Sequence, residues 1–329
     1  MQAFEYANPK TVKEAVALLG ANWGDADVLA GGTDLLALMK DDVHTPKRVV
    51  NIKGIKEMTG IQKAGAGLRI GALVTLDQLM SSPLVRAEYP SLIAAARGVS
   101  SPQIRNMGTV GGDLCQRPRC WYFRSGHGLL AQKDGRSLVT EGENRYHAIF
   151  PKGPAYFVSA SSFGPALIAL GAKVKIAGAS GERELPVEQF FVAPADGNAR
   201  EIALQPNEIL TEIIVPAAAG SRNATYEIRQ REVMDWPLAT ASVTLKGKET
   251  RIVLGHVGPV PVRAAAAEQL VAGKTITPEL AEQAGKAAVE GAQPLGGNAY
   301  KVQLAQTAVK RALLEAGRSR AAAATKGAL

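Results

Sequence analysis

The sequence of 329 residues has few of the side chains that bind metals or form disulfides. It contains two cysteines, Cys115 and Cys120, and four histidines that form no cluster along the chain. Two thiols cannot supply the four ligands that an iron–sulfur cluster or a four-cysteine zinc site normally takes. They also exclude a small secreted scaffold held by several disulfides. We therefore predict that this chain holds no metal.

Long apolar runs and long basic runs are also missing from the sequence. No stretch approaches the roughly 18 consecutive apolar residues of a membrane-spanning helix, and the N-terminus shows no secretory signal. We therefore expect no membrane span and a cytoplasmic location. Lys and Arg outnumber Asp and Glu by 38 to 30, but they are spread along the chain among acidic residues. A solvated basic surface, or a docking face for an acidic partner, is therefore favoured over nucleic-acid binding.

The composition and the pattern of secondary structure indicate an α+β protein of two domains. Apolar residues make up 46% of the sequence and charged residues 21%, which is typical of globular domains, and the length suits two of them. Strand patterns alternate with helix patterns, and Thr11-x-x-Glu14 and Thr75-x-x-Gln78 are capping boxes that predict helix starts. After a linker at 216–222, strand patterns precede helices, which predicts a small sheet covered by helices on one side.

A first glycine segment lies at residues 30–35, where Ala-Gly-Gly-Thr-Asp-Leu follows a predicted strand and precedes a predicted helix. Glycines let the backbone approach a ligand closely, and the N–H groups at a helix start attract anions. The pattern has neither the spacing of a Rossmann fingerprint nor the lysine of a P-loop. Taken alone, it fits a plain strand-to-helix turn equally well.

A second glycine segment lies about 75 residues further on, with three glycines in five residues at 108–112. We predict a glycine-rich loop over 106–113 that can line a phosphate; a tight turn or a bulge has the same composition. Two such segments in one domain can hold a dinucleotide from both sides, which favours ligand binding for the pair.

The stretch 117–159 shows the period of neither a helix nor a strand. It contains seven of the 17 aromatic residues of the chain. Loops of this length inside a domain are usually functional or disordered, and aromatic side chains that can be buried argue against disorder. We predict a long loop packed by its aromatic residues.

The two glycine segments, in this order and spacing, resemble those of the FAD-binding (medium) subunits of the xanthine dehydrogenase/carbon monoxide dehydrogenase family of molybdenum hydroxylases. The similarity continues through residues 161–174, 207–216, 235–243 and 300–313. It implies a vanillyl-alcohol-oxidase-like (PCMH-type) FAD-binding domain at 1–216, with subdomains at about 1–55 and 56–216. It also implies a C-terminal α+β domain at 223–318 like that of the carbon monoxide dehydrogenase flavoprotein, and a tail at 319–329.

The resemblance also implies which residues bind FAD. The first glycine segment supplies Ala30, Gly31, Gly32, Thr33, Asp34 and Leu35. The second supplies Asn106, Gly108, Thr109, Gly111, Gly112 and Asp113, and a later turn supplies Ser162. The common family pattern has Asn at the place of Asp113 and Asp at the place of Ser162. No catalytic side chain is predicted, because the flavin itself carries the redox chemistry.

The stretch 117–159 has a counterpart in some relatives, such as the flavin subunit of 4-hydroxybenzoyl-CoA reductase, where four cysteines on an insertion hold a [4Fe–4S] cluster. This chain keeps the insertion and lacks two of the cysteines, which implies a loop without a cluster. Reduced thiols at Cys115 and Cys120 are favoured over a disulfide. The arginines and aromatics of the loop suit a subunit interface or a plain surface loop. For Trp236, a core position beneath Pro237 is favoured over a place near the flavin.

The function implied by the resemblance is electron transfer. A small partner subunit with two [2Fe–2S] clusters and a large molybdopterin subunit would deliver electrons to FAD in this chain, and NAD⁺, a quinone or oxygen would accept them. One alternative is a self-standing FAD oxidoreductase of the same fold, which needs an acid or base beside the flavin. Another is a basic nucleic-acid-binding or scaffold protein, whose DNA binding would weaken steeply with salt.

Overall fold

The computed structural model describes residues 1–99, 101–197, 199–231 and 234–318, so the predicted tail at 319–329 lies outside the described residues. The strands are β1 (Glu5–Ala7), β2 (Ala26–Leu29), β3 (Arg48–Asn51), β4 (Ile61–Ala64), β5 (Gly67–Gly71), β6 (Gln132–Lys133), β7 (Arg136–Ser137), β8 (Lys173–Gly178), β9 (Gly181–Pro186), β10 (Glu208–Val215), β11 (Arg222–Ile228), β12 (Ala239–Lys246), β13 (Glu249–Gly255) and β14 (Val262–Arg263). The α-helices are α1 (Val12–Ala17), α2 (Leu35–Lys40), α3 (Leu76–Ser81), α4 (Pro83–Glu88), α5 (Pro90–Gly98), α6 (Pro102–Met107), α7 (Val110–Cys115), α8 (Trp121–Arg124), α9 (Leu138–Glu141), α10 (Phe163–Leu170), α11 (Val187–Phe190), α12 (Ala265–Val271), α13 (Pro278–Ala287) and α14 (Tyr300–Gly317). Within these described ranges, no helix has the length and apolar character needed to cross a membrane.

The first sheet is parallel and has the strand order β1-β3-β2. Helix α1 connects β1 to β2 and begins where the Thr11 hydroxyl accepts the Glu14 N–H at 3.2 Å. The capping box predicted there is half formed, because the Glu14 carboxylate accepts the N–H of Lys10, at 2.8 Å, and not that of the capping residue Thr11. The first glycine segment leaves the carboxyl end of β2, which is the edge where parallel sheets commonly bind ligands.

The second sheet is antiparallel and has the order β4-β5-β10-β8-β9. Strand β10 returns to the centre of this sheet, between β5 and β8. Helix α10 is buried from Phe163 to Ala169. One apolar core runs through both sheets and includes Val50 of β3, Ile70 of β5 and Ile213 of β10. The two sheets are therefore joined by side-chain packing over a shared core.

The third sheet, β11-β12-β13-β14, has both faces covered. Helices α12, α13 and α14 cover the face that carries Ala241 and Val243, as the sequence predicts. Helices α5 and α10 of the first part of the chain pack against the other face. That face carries small polar residues, and the hydroxyls of two of them, Thr225 and Ser242, lie 2.8 Å apart and form a hydrogen bond. The expectation of a sheet covered on one side only is therefore wrong.

The second glycine segment is largely helical. Helix α6 ends at Met107 and α7 begins at Val110, so only Gly108 and Thr109 lie between them. The hydroxyl of Thr109 caps α7 by accepting the Gly112 N–H at 3.0 Å. The prediction of a loop over 106–113 is wrong, because this capping contact lets Gly111 and Gly112 form the first turn of a helix.

The stretch 117–159 forms short helices α8 and α9 and the hairpin β6–β7. It has its own apolar cluster, in which Phe123, Leu130, Val139 and Phe157 pack together with Leu38 of α2. The aromatic packing predicted from the composition is confirmed. The small elements were not predicted, because each is too short to show a period.

The buried imidazole of His256 makes the stability of the fold sensitive to acid. Burial, together with the charge of Lys301, lowers the pKa of His256 from 6.5 to about 3. Between these two values the unfolded chain binds more protons than the folded chain, so we expect stability to fall as the pH drops through this window. The φ of His256 is 60°, a conformation that asparagine tolerates. His256→Asn should therefore fold and flatten this dependence by up to about 1.4 kcal/mol per pH unit.

Urea unfolding at about pH 7, 5.5 and 4.5 measures this effect through the dependence of the unfolding free energy on pH. The exposed His127 supplies the matched control, and His127→Asn should keep the wild-type slope. Equal slopes for the wild type and His256→Asn would contradict a neutral, buried His256.

Candidate functional site

A cavity lies where the first sheet, helices α6 and α7 and the β11–β12 connection meet. Its wall includes all the predicted cofactor-binding residues of the first glycine segment: Ala30, Gly31, Gly32, Thr33, Asp34 and Leu35. From the second glycine segment and the later turn it includes Gly108, Thr109, Gly111, Gly112, Asp113 and Ser162. Asn106, which was also predicted, is not among the residues of the wall. The fold thus brings two segments that are distant in sequence to one cavity.

The two glycine segments touch through their backbones. A Cβ on Gly31 would overlap the carbonyl oxygen of Met107, which is the last residue of α6. On Gly111, a Cβ would lie 2.7 Å from the Cβ of Ala72, which is closer than side-chain atoms normally approach. Gly32 has a φ of +75°, which favours glycine. Glycine is therefore required here for close packing between segments, in addition to any contact with a ligand.

The carboxylate of Asp34 fastens the first glycine segment to residues 117–124, which we call the arginine segment. It accepts the backbone N–H of Arg117 at 2.8 Å, Nη1 of Arg119 at 2.6 Å and Nη2 of Arg124 at 2.8 Å. The side chain is therefore engaged by protein donors and does not cap helix α2. Charge-assisted hydrogen bonds of this kind are stronger than neutral ones, so Asp34 holds the arginine segment against the cavity.

The buried carboxylate of Asp113 fastens the turn that precedes α10. It accepts the Ser161 hydroxyl at 2.5 Å, the Ser162 N–H at 3.2 Å, the Phe163 N–H at 3.0 Å and the Gln116 amide at 2.9 Å. Burial raises the pKa of Asp113, and these hydrogen bonds oppose the shift. Asp113 and Ser162, both predicted as cofactor-binding residues, are therefore bonded to each other at the cavity wall.

A second polar cluster lies behind the arginine segment, and sequence reasoning missed it. Nη1 of Arg117 lies 2.8 Å from Nε2 of His44, whose Nδ1 lies 3.2 Å from Asp27. Because arginine can only donate, Nε2 accepts and the proton of His44 sits on Nδ1. Burial opposes ionisation of Asp27, but the His44 contact and the charges of Arg200 and Arg117 lower its pKa. The partners are 17 to 73 residues apart in sequence, so no local pattern signals the cluster.

Trp236 lies at the cavity wall, together with Asp235 and Pro237. The expectation of a core tryptophan is wrong, because 44% of Trp236 is exposed. The guanidinium carbon of Arg119 lies 4.5 Å from the centre of its ring, which is the geometry of a cation–π contact. The β11–β12 connection thus meets the arginine segment across the cavity.

The two cysteines are free, as predicted. Cys115 lines the cavity, and burial raises the pKa of its thiol to about 12, so it stays protonated and unreactive. The sulfur of Cys120 lies 3.1 Å from Nε2 of His147. Among the residues that the structure describes, no three His, Cys, Asp or Glu side chains come together as metal ligands would.

Comparison with known proteins identifies the family. Residues 2–218 match the FAD binding domain in molybdopterin dehydrogenase, and residues 224–316 match the CO dehydrogenase flavoprotein C-terminal domain. This chain belongs to the FAD-binding subunits of the molybdopterin dehydrogenases. The predicted α+β fold, the predicted FAD and the predicted place in a family of oxidoreductases are therefore confirmed.

The relatives of this FAD-binding subunit are similar over nearly its whole length. It is 34% identical to the carbon monoxide dehydrogenase medium chain of Hydrogenophaga pseudoflava, covering 94% of this chain and 96% of that protein. It is 30% identical to the aldehyde oxidoreductase FAD-binding subunit of Escherichia coli K12, covering 96% and 99%.

Two solved structures have the same fold. The carbon monoxide dehydrogenase of H. pseudoflava gives a TM-score of 0.75 at 34% identity, covering 96% of this chain and 97% of that one. The reconstituted CO dehydrogenase from Oligotropha carboxidovorans gives a TM-score of 0.75 at 25% identity, covering 96% and 98%.

The cavity of the FAD-binding subunit suits an anionic dinucleotide. Two arginines of its wall each have a buried Nε–H with no hydrogen-bond partner among the described residues, at Arg119 and Arg200. Buried donors without a partner are costly, and an acceptor on a ligand would satisfy them. Both glycine segments form part of the cavity wall, and glycines permit the close approach of a ligand such as a pyrophosphate. The residues present therefore fit FAD.

Gly31→Ala should weaken FAD binding and destabilise the chain. The added Cβ meets the Met107 carbonyl, which is backbone and cannot move aside alone, so the two glycine segments must separate. Overpacking of this kind costs about 1–3 kcal/mol. The flavin content of the purified protein and its unfolding free energy measure the two effects.

Gly296→Ala supplies the matched control, because nothing lies within 4 Å of its added Cβ. It should keep the flavin content and the stability of the wild type. A Gly31→Ala protein with full flavin content and wild-type stability would contradict the close contact between the segments.

Proposed function

We propose that this chain is the electron-transfer subunit of a molybdenum hydroxylase complex. In this proposal, electrons pass from the [2Fe–2S] clusters of a small partner subunit, and ultimately from a large molybdopterin subunit, through FAD to an external acceptor such as NAD⁺, a quinone or oxygen. The complex is cytoplasmic. Bound FAD supplies the redox chemistry, and this chain binds it, orients it and excludes water from it.

The observation that carries this proposal is that, among the residues the structure describes, no side chain of the cavity wall is free to act as a general base. Asp34 is held by arginines and Asp113 by four donors. Glu208 pairs with Arg183 through bonds of 2.8 and 2.7 Å. A residue that removes a proton from a substrate needs a free lone pair aimed at it, and side chains occupied in this way suit a subunit that relays electrons.

The remaining acidic and imidazole groups of the wall are also engaged. Asp235 accepts two backbone N–H groups at 2.9 Å, from Arg231 and Trp236. His44 lies between Arg117 and Asp27. The self-standing FAD oxidoreductase, which was the alternative reading of the sequence, would need one of these groups to be available beside the flavin.

Within this function, the glycine segments and the arginine segment have separate tasks. We propose that Gly31, Gly32, Thr109, Gly111 and Gly112 line the site of the FAD pyrophosphate at close approach, within a FAD-binding domain at 1–216. Asp34 and Asp113 act indirectly: Asp34 holds the arginine segment, and Asp113 holds the turn before α10. The relatives named above are medium chains or FAD-binding subunits, which supports the presence of further subunits here.

The test is to purify the chain both from its native host, with any bound partners, and alone after recombinant expression. We expect the isolated chain to hold one non-covalent FAD and no iron, to reduce artificial dyes with a reduced nicotinamide as the electron donor, and not to oxidise an aldehyde, purine or carbon monoxide. The native preparation should contain additional subunits with iron and molybdenum.

One result would contradict the proposal. Oxidation of an organic substrate by the isolated chain, at the rate of the native preparation, would support the self-standing oxidoreductase. Iron bound to the isolated chain would contradict the expectation that residues 117–159 hold no cluster. A dye assay with the nicotinamide donor but without the protein is the control for non-enzymatic dye reduction.

A further inference from the structure

Arg119 connects the two parts of the chain across the cavity. Its Nη1 donates to Asp34 at 2.6 Å and its Nη2 donates to the Gln116 side chain at 2.9 Å. Its guanidinium carbon lies 4.5 Å from the ring centre of Trp236, which belongs to the β11–β12 connection. We call this arrangement of Asp34, Arg119 and Trp236 the arginine bridge.

The third nitrogen of this guanidinium, Nε, is buried and has no hydrogen-bond partner among the described residues. The other two nitrogens are held by Asp34 and Gln116, so the guanidinium cannot rotate to find another acceptor without losing those bonds. Arg119 lines the same cavity as the two glycine segments. An acceptor on a molecule in this cavity would therefore complete the hydrogen bonding of the residue.

Trp236 packs against one face of the Arg119 guanidinium. Trp236 is 44% exposed, and among the described residues of the β11–β12 connection it alone forms an aromatic contact with the arginine segment. Arginine faces stack on aromatic rings, and desolvation strengthens the attraction. Trp236 thus covers one face of the Arg119 guanidinium. Asp34, from the first glycine segment, holds the edge of the same guanidinium through Nη1.

We propose that the arginine bridge makes the retention of FAD depend on both domains: Arg119 donates its Nε–H to bound FAD, and Trp236 positions Arg119 from the C-terminal domain. Trp236 is a positioning residue, because it acts through the guanidinium. The inference rests on the proposed placement of FAD in this cavity. It adds that the C-terminal domain contributes to cofactor affinity through one defined contact.

The test is a double-mutant cycle on the FAD dissociation constant of the full-length chain. FAD is removed, and rebinding is followed by the change in flavin fluorescence. Arg119→Gln should raise the dissociation constant about 10- to 100-fold, the effect expected for loss of a hydrogen bond from a charged donor. Trp236→Ala should raise it about threefold to tenfold, and Trp236→Phe, which keeps an aromatic face, should stay within about twofold of the wild type.

The double variant Arg119→Gln/Trp236→Ala tests whether Trp236 acts on FAD binding through Arg119. If Trp236 acts only through Arg119, the double variant should bind FAD as Arg119→Gln alone does. Fold-changes that multiply would show that Trp236 acts independently of Arg119, and that result would overturn the bridge. An unchanged dissociation constant in Arg119→Gln would overturn it as well.

Matched controls separate this inference from the proposed site and from loss of folding. Arg145 also lies over an aromatic ring, that of Tyr146 at 5.9 Å, but away from the cavity wall, so Arg145→Gln should bind FAD normally. If Arg119→Gln does not fold, the comparison of Trp236→Ala with Trp236→Phe still tests the bridge, because the indole is half exposed. If Gly31→Ala weakens FAD binding while the cycle is additive, the result supports the FAD site in this cavity and contradicts the arginine bridge alone.

Discussion

The contact between the backbone of Gly31 and the carbonyl oxygen of Met107 is the constraint on which the rest of the site depends. It joins the carboxyl end of β2 to the end of α6, so that the two glycine segments face one cavity. A side chain at position 31 would separate them. Once the segments are in contact, Asp34 lies where it can bind the arginine segment, and α7 begins directly beside Ala72. The cavity is therefore a consequence of close backbone packing.

Two carboxylates, each held by several hydrogen-bond donors, fix the wall of this cavity in place. Carboxylates are costly to bury unless donors surround them, and both Asp34 and Asp113 meet that condition through side-chain and backbone donors from distant segments. The same contacts occupy three acceptor positions of Asp34 and four of Asp113, so these carboxylates serve to position their neighbours. A rigid, fully engaged wall suits a protein whose cofactor performs the reaction and whose side chains only fix its position.

Local patterns in the sequence predict much of the fold. Thr11 and Thr75 cap α1 and α3 as their patterns indicate, and the glycine segments lie where the strand and helix order places them. The alternation of polar and apolar residues along a strand does not show whether another element of the protein covers its polar face. Thr240 and Ser242 alternate with apolar residues as on a solvated strand, yet α5 and α10 bury them. The helical character of 106–113 was hidden because glycine favours loops, and the capping hydroxyl of Thr109 outweighed that preference. Contacts such as Asp34 with Arg124 join residues 90 positions apart, and no local pattern encodes them.

The central claim is that both glycine segments hold the same FAD molecule. Hydrogen exchange of backbone amides in the full chain, with and without FAD, tests it most directly. The account predicts that FAD slows exchange at residues 30–36 and 108–116 together, and leaves the β6–β7 hairpin unchanged. Protection of only one segment, or protection confined to other parts of the chain, would contradict it.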